Sequence, residues 1–249
     1  MRALFVQQDH VSPVGPVGER FSERGFEVEE FLVVPEDRFH SPDVDVAFPD
    51  PLAYDAIVPM GAPWSVYDDA TIGAWVLEEV SFLHRAHEAG VPVLGICFGA
   101  QALATALGGY VERAPEPEIG WYDIRTDAAD LVEAGPWFQW HHDRLRPPAG
   151  ARTLASTELA VQAYVIGRSL AVQFHPELTT PMLDGWLANG GAQYLREHGF
   201  DVDAIVARTA REEPEALRRA HRLVDRFLDR VAHAGAAPRD VRSAANERG

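Results

Sequence analysis

The segment that most constrains the fold is an apolar run that leads into the only cysteine of the chain. Residues 91–96 form an apolar run, which is typical of a strand buried on both faces of a sheet. Cys97 follows this run directly and is the central residue of the sequence GICFG at 95–99. Small residues at 100–107 then predict a helix. A buried strand that turns sharply into a helix is typical of a parallel sheet with helices on both faces, so this segment predicts an α/β fold.

The rest of the chain up to about residue 170 continues this alternation of strand and helix patterns. The predicted strands lie at 2–6, 27–34, 56–60, 119–125, 160–166 and 170–174, and the predicted helices at 18–25 and 70–90. Helical patterns become rare after residue 110, so we expect this second part to be more antiparallel.

The chain becomes helical again after Thr180. Apolar residues at 216–231 recur at three- and four-residue spacing, which predicts a helix with one packing face. Pro214 stands where the start of a helix tolerates proline, so we expect this helix to begin there. We therefore predict a domain at 1–195, a helical extension at 196–235 and a disordered tail at 236–249.

Charge and residue usage exclude several classes of function. The formal net charge is −16 and arginine is not concentrated anywhere, which argues against a nucleic-acid partner. All 22 basic residues are arginine, so a Schiff-base lysine, a lysine general base and a Walker-A phosphate loop are excluded. The sequence has no apolar run of membrane-spanning length, no signal-peptide pattern and one cysteine, so we expect a cytoplasmic protein with no membrane partner.

The glycines around Cys97 predict a nucleophile. Glycine at 95 and at 99 lets a strand turn sharply into a helix, which presents the central side chain with helix N-terminal amides behind it. The N-terminal end of a helix favours the thiolate form of a cysteine. The alternative is an inert core cysteine, and the glycine pattern argues against it.

A general base for this thiol is predicted at the end of the last strand, in the sequence VQFHPE. His175 and Glu177 are two residues apart, so they lie on one face of an extended segment. A carboxylate at this spacing can hold the imidazole in one tautomer while the other ring nitrogen reaches the thiol. The two segments together predict a triad of Cys97, His175 and Glu177.

These two segments, GICFGAQ and VQFHPE, resemble the signatures of class I glutamine amidotransferase domains, the type with a Cys-His-Glu triad. The sequences MGAPWSVYD at 60–68, PEIGW at 117–121 and WHHD at 140–143 are similar to the amidotransferase domain of GMP synthases. The likeness covers residues 2–190. Together with the strand pattern, it implies a flavodoxin-like three-layer α/β sandwich with a mostly parallel central sheet and a C-terminal helical extension.

The resemblance also implies residue roles. The Cys97 thiolate would attack the carboxamide of glutamine and form a γ-glutamyl thioester, with His175 as acid and base and Glu177 as its orienting partner. The backbone amides of Ala62 and Phe98 would form the oxyanion hole. The family usually has glycine at position 62, so a positive φ there would cost alanine about 1 kcal/mol. The residues implied at the substrate are Gly61, Gln101, Trp140, His141 and His142.

Several alternatives stay open from the sequence. His141 stands where serine or asparagine is common, which favours a modified substrate. The enzyme could deliver ammonia to a separate synthetase subunit, because this chain has no synthetase domain, or it could be a standalone hydrolase of another γ-glutamyl amide. A catalytically silent binding or regulatory protein is the third alternative. No cofactor is expected, and a metal site is disfavoured because His141 and His142, as neighbours in a strand, point to opposite faces.

Overall fold

A computed structural model describes residues 1–233, and the tail predicted at 236–249 lies outside them. The strands are β1 (Arg2–Gln7), β2 (Glu27–Leu32), β3 (Ala56–Pro59), β4 (Val93–Ile96), β5 (Tyr110–Tyr122), β6 (Arg125–Thr126), β7 (Trp137–Arg146), β8 (Arg152–Ser156), β9 (Val161–Ile166) and β10 (Ser169–Val172). The α-helices are α1 (Gly15–Glu23), α2 (Asp69–Glu88), α3 (Phe98–Ala106), α4 (Thr180–Trp186), α5 (Ala192–Glu197) and α6 (Val202–Arg226). Two π-helical segments, Leu187–Gly191 and Phe227–Ala232, follow α4 and α6.

An eight-stranded sheet forms the centre of the molecule, with the strand order β2-β1-β3-β4-β10-β9-β8-β6. The first five strands in this order are parallel to one another. The last three add antiparallel pairs, as the change of pattern after residue 110 predicts. β5 and β7 form a separate antiparallel pair that carries part of the site described below.

Alternate side chains of the central strands enter two different apolar clusters, which makes the fold a three-layer sandwich. In β1, Ala3 and Phe5 pack in the cluster that contains α1 and α6. Leu4 and Val6 pack in the cluster that contains α2 and α3. The α/β sandwich predicted from the sequence is therefore confirmed.

The C-terminal helix differs from its prediction at one end. α6 begins at Val202, where the Asp201 side chain accepts a hydrogen bond from the amide of Ala204 at 2.9 Å, and it continues through Pro214. The predicted helix start at Pro214 is wrong, because the capped turn at Asp201 and the burial of the apolar face offset the hydrogen bond that proline cannot make. That face is buried as predicted, in the same core as the sheet. The domain boundary at 195/196 stays a prediction.

Among the described residues, no helix is both long enough and apolar enough to cross a bilayer.

Candidate active site

Cys97 joins β4 to α3 in an unusual backbone conformation. Its φ is +49° and its ψ is −107°, and within residues 1–233 it is the only non-glycine residue with a positive φ. The neighbouring glycines do not carry this strain; they allow backbone segments to approach closely where a side chain would not fit. A Cβ on Gly99 would lie 2.1 Å from the carbonyl oxygen of Pro59, and one on Gly95 would lie 2.9 Å from the Cα of Ala100. The predicted sharp turn is present, but the strained torsion belongs to the cysteine itself.

His175 and Glu177 follow β10, the strand that pairs with β4. The Nδ1 atom of His175 lies 2.7 Å from Oε1 of Glu177, and both side chains are buried. The amide of His175 donates to the carbonyl of Phe138 at 2.9 Å, which fixes the backbone at this point. Within the described part of the chain, the His175 Nε2 atom has no hydrogen-bond partner. Glu177 therefore holds Nδ1 of His175, and Nε2 is available to exchange a proton with a substrate.

Two opposing effects act on the imidazole of His175. Burial alone would lower its pKa, but the negative charges of a Cys97 thiolate and of Glu177 outweigh burial and raise the pKa well above its usual value. The imidazole is therefore protonated at neutral pH when the thiolate is present. A thiolate beside an imidazolium is an activated nucleophile next to a charged acid.

The loop after β3 passes directly over this pair. A Cβ on Gly61 would lie 2.9 Å from Cε1 of His175 and 3.7 Å from Cβ of Cys97, so only glycine fits there. The backbone amides of Ala62 and Phe98 have no hydrogen-bond acceptor among the described residues. Ala62 does not have a positive φ, so the strain considered for alanine at this position is absent. Two free amides beside the thiol can stabilise an oxyanion.

A second polar side chain contacts the cysteine sulfur. Gln173 is fully buried, and its Nε2 atom donates to Sγ of Cys97 at 3.6 Å. Gln101 donates its Nε2 to the Oε1 atom of Gln173 at 3.2 Å, which holds the amide in this orientation. Gln173 is not among the predicted site residues, although its position two residues before His175 places it on the same face of the chain.

Strand β7 presents its two faces differently to this region. His141 lies on one face, where its Nε2 atom is 3.3 Å from Oε2 of Glu118 and its Nδ1 donates to the carbonyl oxygen of Asp143 at 2.9 Å. Both ring nitrogens therefore face acceptors of the protein. On the other face, the Nδ1 atom of His142 lies 3.1 Å from the hydroxyl of Tyr194. The two histidines are separated as their strand positions predict.

Asp143 shares the face of His141 and is itself strongly held. Ser65 donates its hydroxyl to Oδ2 of Asp143 in a short hydrogen bond, and the hydroxyl of Tyr67 donates to Oδ1 at 2.8 Å. Only 5% of Asp143 is exposed. Asp143 is not among the substrate residues that the sequence implies, because no local pattern shows that the loop at Ser65 and Tyr67 packs on β7.

These elements surround a pocket of about 380 Å³. The predicted residues that line it are Gly61, Ala62, Cys97, Phe98, Gln101, Trp140, His141, His142 and His175. Glu177 lies behind His175, away from the pocket. The lining residues that were not predicted at the substrate include Asp9, Asp143, Trp186 and Tyr194. No cluster of three or more metal-ligating side chains occurs within residues 1–233.

Comparison with known proteins identifies the family of this domain. The family model for class-I glutamine amidotransferases matches residues 20–190, a span that contains Cys97, His175 and Glu177. The chain belongs to this family. Family membership makes it a cysteine-dependent enzyme, and Cys97 is its only cysteine.

Several curated relatives of this amidotransferase are GMP synthases. The glutamine-hydrolysing GMP synthase of Sulfolobus acidocaldarius has a subunit that is 36% identical over 134 residues, which cover 50% of this chain and 68% of that protein. The glutamine-hydrolysing GMP synthase of Aeropyrum pernix is 37% identical over 141 residues, which cover 51% of this chain and 28% of that protein. The chain thus matches under a third of that longer synthase.

Solved structures of amidotransferases share the fold. A glutamine amidotransferase from Thermotoga maritima has a TM-score of 0.78 and 22% identity, with 92% of this chain and 98% of that chain covered. A glutamine amidotransferase from Methylobacillus flagellatus has a TM-score of 0.77 and 22% identity, with 91% and 94% covered. At 22% identity these structures show only that the fold is shared. The shared fold covers more of the chain than residues 20–190, the part that matches the family model.

Proposed function

We propose that this amidotransferase hydrolyses the side-chain amide of glutamine, or of a related γ-glutamyl amide, through a thioester on Cys97. The observation that carries the proposal is that Cys97 and the buried His175 line one pocket and interact, while Nδ1 of His175 is held 2.7 Å from Oε1 of Glu177. The names of the relatives, glutamine-hydrolysing GMP synthases, support glutamine as the γ-glutamyl donor.

The first half of the reaction forms the thioester. The thiolate of Cys97 attacks the amide carbon, and a C–S bond forms while the carbonyl oxygen becomes an oxyanion. The free amides of Ala62 and Phe98 donate to that oxyanion. The C–N bond then breaks as Nε2 of His175 gives its proton to the leaving nitrogen, which departs as ammonia or an amine.

The second half releases glutamate. The neutral His175 takes a proton from water as the water oxygen attacks the thioester carbon. The C–S bond breaks, and the sulfur leaves as the thiolate of Cys97 beside the restored imidazolium. Glu177 holds the ring throughout and keeps its own charge, which stabilises the imidazolium in both halves.

Polar groups of the pocket can hold the amino-acid end of the substrate. The carboxylate of Asp143 is fixed by two hydroxyl groups and lines the pocket, so it is placed to accept from an α-ammonium group. Gln101 lines the same pocket. The ring of His141 faces Glu118 and the Asp143 carbonyl, so we propose that it supports Asp143 in the pocket wall.

The fate of the nitrogen separates two versions of this function. In the first, a separate synthetase subunit receives the ammonia, as the name of the Sulfolobus relative, one subunit of a GMP synthase, suggests. In the second, the chain acts alone on a substituted γ-glutamyl amide. The aromatic rings that line the pocket, among them Trp140 and Trp186, favour the second version.

The test is to incubate the purified protein with glutamine alone and to measure glutamate and ammonia. Cys97→Ser serves as the control, and a chloroketone analogue of glutamine serves as a covalent probe of the single thiol. We expect glutamate release and labelling at Cys97 in the wild type and neither in the variant. Labelling with very slow turnover would support a partner-dependent amidotransferase. Turnover of a substituted γ-glutamyl amide but not of glutamine would support the standalone hydrolase, and no labelling together with no turnover of either amide would contradict the enzyme and support a binding protein.

A further inference from the structure

The pocket beside Cys97 has two chemically different sides, because β7 crosses it with alternate side chains on opposite faces. One side carries the carboxylate of Asp143. On the other side Trp140 packs edge-on against Trp186, with ring centroids 5.8 Å apart. A γ-glutamyl amide also has two unlike ends, a charged amino acid and an amine that leaves.

The side opposite Asp143 is built from rings that the protein already holds in place. Trp186 donates its indole N–H to the carbonyl of Val11 at 3.0 Å. Gly191 packs so closely on Trp140 that a Cβ would lie 2.9 Å from Cη2 of the indole. We call the four pocket-lining residues Trp140, His142, Trp186 and Tyr194 the aromatic wall. Trp186 lies in α4 and Tyr194 in α5, so the helices that follow β10 complete the wall.

The aromatic wall is uncharged at neutral pH. Burial, with a smaller effect from the nearby Arg113, lowers the pKa of His142 to about 4. Burial also raises the pKa of Tyr194, so its phenol keeps its proton. Flat rings favour a planar group of a ligand through stacking and edge-to-face contacts. The positive charge of Arg113, which acts on His142, disfavours a cationic group and so favours a neutral one.

The leaving nitrogen has to lie near this wall. His175 must reach that nitrogen within hydrogen-bond distance to protonate it. Trp186 is the ring of the wall that packs on His175, with centroids 5.0 Å apart and planes at 69°. A substituent on the leaving nitrogen would therefore extend over Trp186 towards Trp140.

We propose that the aromatic wall is a leaving-group subsite, and that the substrate is a γ-glutamyl amide of an amine that carries a neutral aromatic group. This inference rests on the proposed function, because it requires transfer of the γ-glutamyl group to Cys97. The C–N bond breaks with the proton of His175, so the aromatic amine is released, and water then frees glutamate. The volume of about 380 Å³ lies within the range of about 300–1,000 Å³ that is usual for small-molecule sites.

The test compares three substrates: glutamine, γ-glutamylmethylamide and γ-glutamylbenzylamide. The two substituted amides release primary alkylamines of similar chemistry, so their difference reports mainly the contact of the ring. We expect kcat/KM for the benzylamide to exceed that for the methylamide by about tenfold or more. A fourth compound, the γ-glutamyl amide of cyclohexylmethylamine, serves as a control because its ring is apolar but not planar, and its kcat/KM is expected to fall between those of the two substituted amides.

A matched pair of variants locates the subsite. Tyr194→Leu removes a ring of the wall and should lower the ratio of benzylamide to methylamide kcat/KM severalfold. Tyr110→Leu changes an exposed tyrosine of β5, 56% accessible, and should leave the ratio unchanged. If thermal unfolding shows that Tyr194→Leu is unstable, His142→Leu removes another ring of the wall and should lower the ratio severalfold in its place.

Each outcome decides one point. A wild-type ratio of one or less, with glutamine or the methylamide still cleaved, overturns the aromatic subsite and leaves the proposed function intact. A high ratio that Tyr194→Leu does not lower overturns its location on the wall. No cleavage of any of the three amides contradicts the proposed function itself.

Discussion

Gln173 donates an amide N–H to the sulfur of Cys97 across 3.6 Å, and its carbonyl is held by Gln101. The sulfur therefore has a neutral donor in addition to the charge of the neighbouring His175. Hydrogen bonds to charged groups are stronger than bonds between neutral groups, so Gln173 should stabilise the thiolate more than the thiol. We propose it as a positioning residue for the nucleophile.

Gln173→Leu should slow the alkylation of Cys97 and lower kcat about tenfold or more, because the thiolate loses a donor worth about 1.5–3 kcal/mol. The measurement is the rate of iodoacetamide labelling beside kcat, and the labelling is unambiguous because the chain has one thiol. Gln162→Leu is the control, since Gln162 is also fully buried but bonds Gln139 and Glu118. An equal loss of labelling rate and kcat in both variants would indicate a merely structural role.

Replacing Cys97 should separate activity from stability. Cys97→Ala and Cys97→Gly should both abolish turnover. At φ +49° an alanine keeps the strain that a glycine does not have, so Cys97→Gly should be about 1 kcal/mol more stable than Cys97→Ala. Urea unfolding of the two variants measures this difference. Equal stability would show that the torsion relaxes when the side chain is shortened.

Within the triad, Glu177→Gln should impair acylation less than His175→Ala. The carboxylate holds the ring at 2.7 Å but does not move the proton, whereas the loss of a general acid and base costs about 10²- to 10⁴-fold. Single-turnover acylation of Cys97 compares the two variants directly. A loss at Glu177→Gln as large as that at His175→Ala would assign the carboxylate more than an orienting role.

Glu79 should make the stability of the fold depend on pH. It is fully buried on α2, and burial raises its pKa to about 8. Among residues 1–233, Gln8 is its one hydrogen-bond donor, at 2.7 Å. The carboxyl of Glu79 stays protonated in the folded protein up to a higher pH than in the unfolded chain, where its pKa is about 4.5. The fold is therefore most stable below that value, and its free energy of unfolding falls as the pH rises towards 8.

Between pH 5 and pH 8, the free energy of unfolding should therefore fall less for the Glu79→Gln variant than for the wild type, and the two changes should differ by about a few kcal/mol. Chemical unfolding at pH 5 and pH 8 is the measurement, and Glu78→Gln, an exposed neighbour on the same helix, is the control. The same pH dependence in the wild type and in Glu79→Gln would show that Glu79 is not the source.

The nucleophile and its base could be predicted because each depends on a short local pattern. Each pattern lies within a few consecutive residues of the sequence: the strand and the glycines around Cys97, and the two-residue spacing of His175 and Glu177. The alternation of strands and helices predicts the parallel part of the sheet for the same reason.

The remaining site residues depend on contacts between distant segments. Asp143 is held by Ser65 and Tyr67, about 76 to 78 positions earlier, and Trp186 reaches back to Val11. No local periodicity encodes such pairs. The predicted start of α6 is wrong for a related reason, because burial of its apolar face against the sheet outweighs the local preference of Pro214.

The pairing of β4 with β10 also makes the appearance of activity a late event in biosynthesis. Cys97 leaves the ribosome long before Gln173 and His175, which follow the strand that completes this part of the sheet. A growing chain that ends before β10 carries the thiol without its donor and its acid. Until the growing chain extends past His175, the sulfur therefore lacks both the acid and the amide donor that the folded site places around it.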